Sequence, residues 1–263
     1  MVGAKGMNFM KLQKLFFSQN RLGNNIVIII AACIALLLCS CVNNSDIQYL
    51  KGEDPYEIIE ISYADCDERI NKNIAIVYPQ IQKLNNTEAE RLICEEIEKT
   101  AFAVLSDFTV LNDMNIDVSY SVTYASADIL SIHFIVRSFH SSQAYPLIRS
   151  FSANFLVETG KKLELTDVIN VNDEFFVSFF NNFELSVEPE SKESYERILE
   201  DAKDALKIEN FLGDKEDIYS DAHGFFTEDA LVVSIEVRYS NGSYALFKAN
   251  YPDIKDFLKI NVI

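Results

Sequence analysis

Thirteen consecutive apolar residues, Ile26 to Leu38, follow a segment that carries Lys5, Lys11, Lys14 and Arg21 and no acidic residue. Nothing else in the chain limits its fold so strongly. The run has the length of a signal-peptide core and falls short of the ~20 residues that a permanent spanning helix needs. Cations ahead of such a run hold that end in the cytoplasm while the remainder is exported. The segment is therefore expected to take no part in the core of the mature protein. Met7 and Met10 are alternative starts for its long cationic region.

The end of the run sets the kind of leader. Leu38-Cys39-Ser40-Cys41 resembles a bacterial lipobox, with an aliphatic residue three before the cysteine and a small one just before it. The resemblance implies a signal peptide over residues 1–40 and lipid on the Cys41 thiol. Cys39 fits less well because Leu38 would occupy the small position. An uncleaved helix running through Val42 is the alternative. Each buried methylene of an acyl chain contributes ~0.8 kcal/mol, so several chains hold a protein on a membrane. Residues 41–56, with Asn43, Asn44, Ser45 and Asp46, read as a polar tether. The expected location is extracytoplasmic and membrane-anchored, in the periplasm or on the cell surface.

Removing four cations from a chain of net charge −17 leaves −21. Such a surface repels nucleic acid and anionic headgroups and attracts a cationic partner, although acidic surfaces also serve solubility alone. Apolar residues at 49%, with 19 Phe and 12 Tyr, supply a core and exclude global disorder. Cys66 and Cys94 remain after cleavage. Export permits a disulfide between them; Cys94, beside Ile93 on an amphipathic helix, also reads as a small buried apolar residue.

The rest of the chain alternates between strand and helix patterns. Glu57 to Tyr63 and Asn73 to Tyr78 are strand-like by alternation and β-branching. Thr87-Glu-Ala-Glu90 has the form of a capping box, and Leu92, Ile93, Ile97, Ala101, Val104, Leu105 and Phe108 then recur at helical spacing. Val118–Thr123, Ile129–Arg137 and Leu147–Val157 read as an antiparallel meander. Glu158-Thr-Gly160 is a turn, Leu165-Thr-Asp167 a helical turn, and Glu174–Phe183 a Phe-rich helix. Residues 184–217 hold twelve acids against five bases, with a surface helix after Pro189. Strands at Phe225–Val237 and Ser243–Asn250 and a short helix from Tyr251 complete an α+β fold. It consists of an antiparallel sheet packed by a long amphipathic helix, with further helices in the C-terminal half.

Several segments, taken in order, resemble the extracytoplasmic domain shared by RsiV-type anti-sigma factors and the N-terminal part of PdaC-type peptidoglycan deacetylases. They are Val77-Tyr-Pro-Gln-Ile81, Tyr120–Tyr124 with Leu130–Phe134, Ser152–Lys161 with Leu163–Val168, Phe225–Val233 and Tyr251–Phe257. The resemblance implies a PdaC-like part at 57–114 and an RsiV-like part at 115–263. It also implies a binding role, since RsiV-type domains bind lysozyme, a cationic protein; peptidoglycan is the other partner it suggests. Where those families carry a histidine element between strands, Ser141-Ser-Gln-Ala-Tyr-Pro146 has Tyr145. No counterpart of the sigma-binding or deacetylase catalytic parts is expected.

Chemistry-bearing residues are sparse. His133 lies in an alternating strand, opposite in facing to Ile132 and Phe134, and reads as a structural or surface histidine. His140 beside Ser141 and Ser142 has the residue types of a nucleophile–base pair but no third orienting group. Asp214–Asp217 and Asp221 gather oxygen ligands without the ligand pattern of a calcium loop. No catalytic constellation, metal set or cofactor motif is expected. The candidate partner-binding residues are Ser142, Gln143, Tyr145 and Pro146, because an exposed loop tyrosine makes efficient contacts. The sequence supports an envelope binding protein first; a structural lipoprotein or a carboxylate-dependent wall hydrolase are the alternatives.

Overall fold

Strands form where the alternating segments lie, in a computed structural model that describes residues 55–108, 110–186, 192–205 and 222–260. The leader, Cys41, most of the tether and the Asp214–Asp221 loop lie outside the described residues. β1 (Glu57–Asp67), β2 (Lys72–Gln82), β3 (Met114–Ala125), β4 (Ile129–His140), β5 (Leu147–Leu156) and β6 (Lys161–Leu163) form one sheet in that order. β3, β4 and β5 are the expected antiparallel meander. The sheet is mixed as a whole, because β2 and β3 run parallel. The chain between them passes through α1 (Thr87–Phe102), and a crossover of that length returns a strand in the same direction. Residue 115, the expected junction between two parts, lies within β3, and the sheet continues through it.

The long helix starts one residue earlier than the capping-box pattern indicates. Asn86 is the cap: its Oδ1 accepts the Ala89 N–H at 3.2 Å, and Glu90 reaches back to the Leu84 N–H at 2.8 Å. An amide oxygen satisfies a free first-turn donor as well as a hydroxyl does. Ala89, Ile93, Ile97 and Ala101 face the sheet and pack on Ile74, Ile76, Ile116, Val118, Ile132 and Phe134. Burying each of the larger side chains contributes roughly 1.5–3 kcal/mol. Tyr56, expected at the end of the tether, is buried in this core, and its hydroxyl donates to Ser126 O at 3.0 Å.

A second, antiparallel sheet contains β7 (Glu184–Leu185), β8 (Ala222–Phe226), β9 (Ala230–Glu236) and β10 (Tyr244–Asn250), ordered β7-β10-β9-β8. Its outer face carries Leu231, Val233 and Ile235. These pack against Phe175 and Phe179 of α3 (Asp173–Asn182), Ala202 of α4 (Lys192–Ala205) and Ile254 of α5 (Tyr251–Ile254), near α2 (Leu165–Val168). Phe175 and Phe179 of the Phe-rich helix are therefore core packing. The result is an α+β fold with two apolar cores. β4 and β5 lie between the α1 core on one face and the second sheet on the other, so six successive residues from Ile129 are buried on both faces.

Cys66 and Cys94 are free thiols. Cys94 half-buries on α1 with its Sγ donating to Ile81 O at 3.3 Å, and burial pushes its thiol up.

Candidate functional site

Six residues join β4 to β5, and their own side chains shape them. The His140 N–H donates to Gln143 Oε1 at 2.9 Å, and the Gln143 N–H returns to His140 O at 2.8 Å. His140 Nδ1 lies 3.1 Å from the Ser142 N–H and 2.6 Å from Ser142 Oγ. With that nitrogen accepting from the backbone, the serine–histidine contact closes the turn. Among the described residues no carboxylate bonds the other ring nitrogen, so the third member of a nucleophilic triad is not in place.

The loop is held in this form with Tyr145 outward. Tyr145 is 62% exposed and stacks on Tyr239, itself 49% exposed, with centroids 4.8 Å apart and planes 27° from parallel. Tyr239 belongs to a 3-10 turn, Tyr239–Asn241, at the end of the second sheet. That turn is tied down by Asp201 of α4. Its carboxylate accepts from Arg238 Nε at 2.7 Å, the Arg238 N–H at 3.1 Å and Asn241 Nδ2 at 2.6 Å. The stacked pair thus joins a loop of the first sheet to a turn of the second. Of the expected loop residues, Tyr145 presents an open ring face, Ser142 and Gln143 build the loop, and half-buried Pro146 forms its base. Tyr239 was not singled out by the sequence. Asn241-Gly242 marks its turn, but nothing local indicates the stacking partner.

Between the sheets runs a polar seam. Ser131 Oγ donates to Asn154 Oδ1 at 2.7 Å and accepts the Phe226 N–H at 2.9 Å. Asn154 Nδ2 and Ser152 Oγ both donate to Gly224 O, at 2.8 and 2.7 Å. Ser234 Oγ donates to Ser150 Oγ at 2.8 Å, which lies 2.6 Å from His133 Nε2. His133 is 7% exposed. Loss of hydration pushes its pKa down to about 4, so the ring is neutral, and its role is structural. The expectation that it faces away from Ile132 and Phe134 holds, and that face is buried by the second sheet.

Among the described residues no group of three or more His, Cys, Asp or Glu is arranged to hold a metal ion, and no helix is long and apolar enough to cross a membrane.

No protein-family model matches the sequence. Nor does any curated protein. Solved structures similar to the chain include two DUF3298 family proteins. One, from Bacteroides fragilis, has 10% identity over 78% of this chain and 94% of its own, with a TM-score of 0.46. The other, from Pseudomonas aeruginosa, has 15% identity over 79% and 95%, with a TM-score of 0.42.

Proposed function

We propose that the chain is a lipid-anchored binding protein of the bacterial envelope, held through Cys41, that recognises a cationic cell-wall-associated protein through the β4–β5 loop. The exposed Tyr145–Tyr239 stack carries this reading, supported by its fixed loop and tied turn. Two rigid aromatic rings open to solvent offer contact area at small entropic cost. The net charge of −17 favours approach of a basic surface and disfavours nucleic acid. Lysozyme is the probe of first choice, as the family resemblance implies.

The experiment is a binding titration of the full chain, in detergent, with lysozyme at low and moderate salt. Binding is expected at both, weaker at the higher, because exposed charges are screened beyond roughly 10 Å at 0.1 M salt. Tyr145→Ala is expected to weaken it by ~10-fold or more. No binding at either salt removes lysozyme; equal binding by the variant removes the loop. The anchor has its own test: Cys41→Ser is expected to move the protein from the membrane fraction to the soluble one.

A further inference from the structure

The second sheet covers only part of the inner face of the first. Coverage begins at the cross-strand row Ser119, Ile135 and Ser150, where Ser150 meets Ser234. The two rows before it are open. One runs Ala75, Asp117, Arg137 and the other Asn73, Asn115, Phe139, each crossing β2, β3 and β4 in register. Pro146, at the base of the β4–β5 loop, stands at the side, and together they enclose a depression of about 150 Å³.

Its chemistry differs from that of the surface around it. Asp117 and Arg137 face each other at 3.8 Å, and their side chains are 58% and 52% exposed. The pair cancels its own charge, so the shelf is neutral within a chain of net charge −17. Each partner keeps spare hydrogen-bonding capacity, since a carboxylate accepts about four bonds and a guanidinium donates five. Asn115 offers an amide that both donates and accepts, and Asn73 keeps its amide donors after accepting from Cys66 Sγ at 3.0 Å. The Phe139 ring and Pro146 are the apolar lining, both half-buried. Ala75 keeps the floor low.

We infer that this shelf binds a neutral saccharide, one ring of a glycan strand lying along the sheet. A cationic ligand would meet Arg137, and an anionic one Asp117 and the acidic chain. An uncharged lipid or apolar peptide would strip water from the spare donors and acceptors of these polar side chains and return no hydrogen bond, which costs free energy for each group desolvated. Pyranose rings match the lining: hydroxyls exchange hydrogen bonds with amides, carboxylate and guanidinium, and the C–H face rests on Phe139 and Pro146. The depression is smaller than the roughly 300–1,000 Å³ of an enclosed ligand pocket, so it holds one ring of a longer chain. Only Pro146 is shared with the loop proposed for the cationic partner, and the two readings stand or fall separately.

The test is isothermal titration of the full chain in detergent with the neutral β-1,4-linked tetramer of N-acetylglucosamine and with its fully deacetylated, cationic counterpart. The neutral tetramer is expected to bind with a dissociation constant that moves less than about 2-fold with salt, since no ion pair is screened. Asn115→Ala and Arg137→Ala are each expected to weaken it by about 3- to 10-fold, the loss of one or two hydrogen bonds. Both positions are exposed, so unchanged thermal midpoints will show that the fold is retained. The inference is overturned if the neutral tetramer does not bind, if the variants bind it equally, or if only the cationic tetramer binds and is released by salt. Lysozyme binding without tetramer binding would likewise leave the loop reading standing and remove this one.

Discussion

The imidazole of His133 lies flat against the ring of Phe225, with centroids 4.5 Å apart and planes 20° from parallel. Its Nε2 faces Ser150 Oγ at 2.6 Å. One side chain of the first sheet thus meets β8 by stacking and, through Ser150, β9 by hydrogen bonding. Burial holds its pKa at about 4, against an ordinary 6.5. The folded state therefore favours the neutral ring, while the unfolded chain takes a proton near pH 6.5. The stabilisation is complete above that pH and is lost as the pH falls towards 4. At about 1.4 kcal/mol per unit the difference is on the order of 3 kcal/mol. Denaturant unfolding at pH 7 and pH 4.5 is expected to show His133→Gln losing about 2–3 kcal/mol less on acidification than the parent. Equal losses in the two proteins would refute the assignment.

Asn154 binds both sheets through the buried seam, accepting from Ser131 Oγ and donating to Gly224 O. Asn154→Ala removes both bonds; the Ser131 hydroxyl can turn to Thr123 Oγ1, 3.1 Å away, and Gly224 O keeps Ser152. Each lost bond costs about 1 kcal/mol and the vacated volume adds to it, so a loss of roughly 2–3 kcal/mol is expected. Asn154→Asp accepts from Ser131 but cannot donate to Gly224 O, and its buried charge makes it no milder. A midpoint shift in urea within error of zero for Asn154→Ala would mean that water replaces the side chain.

The same seam shows where sequence reading stops. Alternation in β4 correctly assigns Ile132, Phe134 and Val136 to one core, because the period of two is a local property. It leaves open whether His133, on the other face with Ser131, is structural or at the surface. They are buried because β8 and β9, a hundred residues away, bring a matching polar face, and no local pattern records that. The parallel pairing of β2 with β3 is hidden for a related reason: periodicity identifies a strand but not its neighbour's direction. In the candidate site Tyr145 is visible as an aromatic residue on a loop. Tyr239 and Asp201 are not, since each acts only through a partner from another element.

Gly160 is where the turn after β5 presses on α1. Its φ of +71° lies in the left-handed region, and a Cβ there would sit 2.8 Å from Ala89 O and 3.0 Å from both Ala89 Cα and Leu92 Cβ. Two of those three atoms are helix backbone, which cannot rotate away, and Asn86 Nδ2 holds the turn to the helix cap through Glu158 O at 2.8 Å. Gly242 supplies an internal control. Its φ is +107°, but an added Cβ would meet only Tyr244 O at 3.7 Å. Both alanine variants carry the left-handed penalty of roughly 1–2 kcal/mol; only Gly160→Ala adds overpacking, which costs about 1–3 more. Chemical denaturation is expected to place Gly160→Ala below Gly242→Ala by that second amount. If the two variants are equally stable, the turn moves off the helix without cost, and the close approach of Gly160 to Ala89 contributes nothing to the fold.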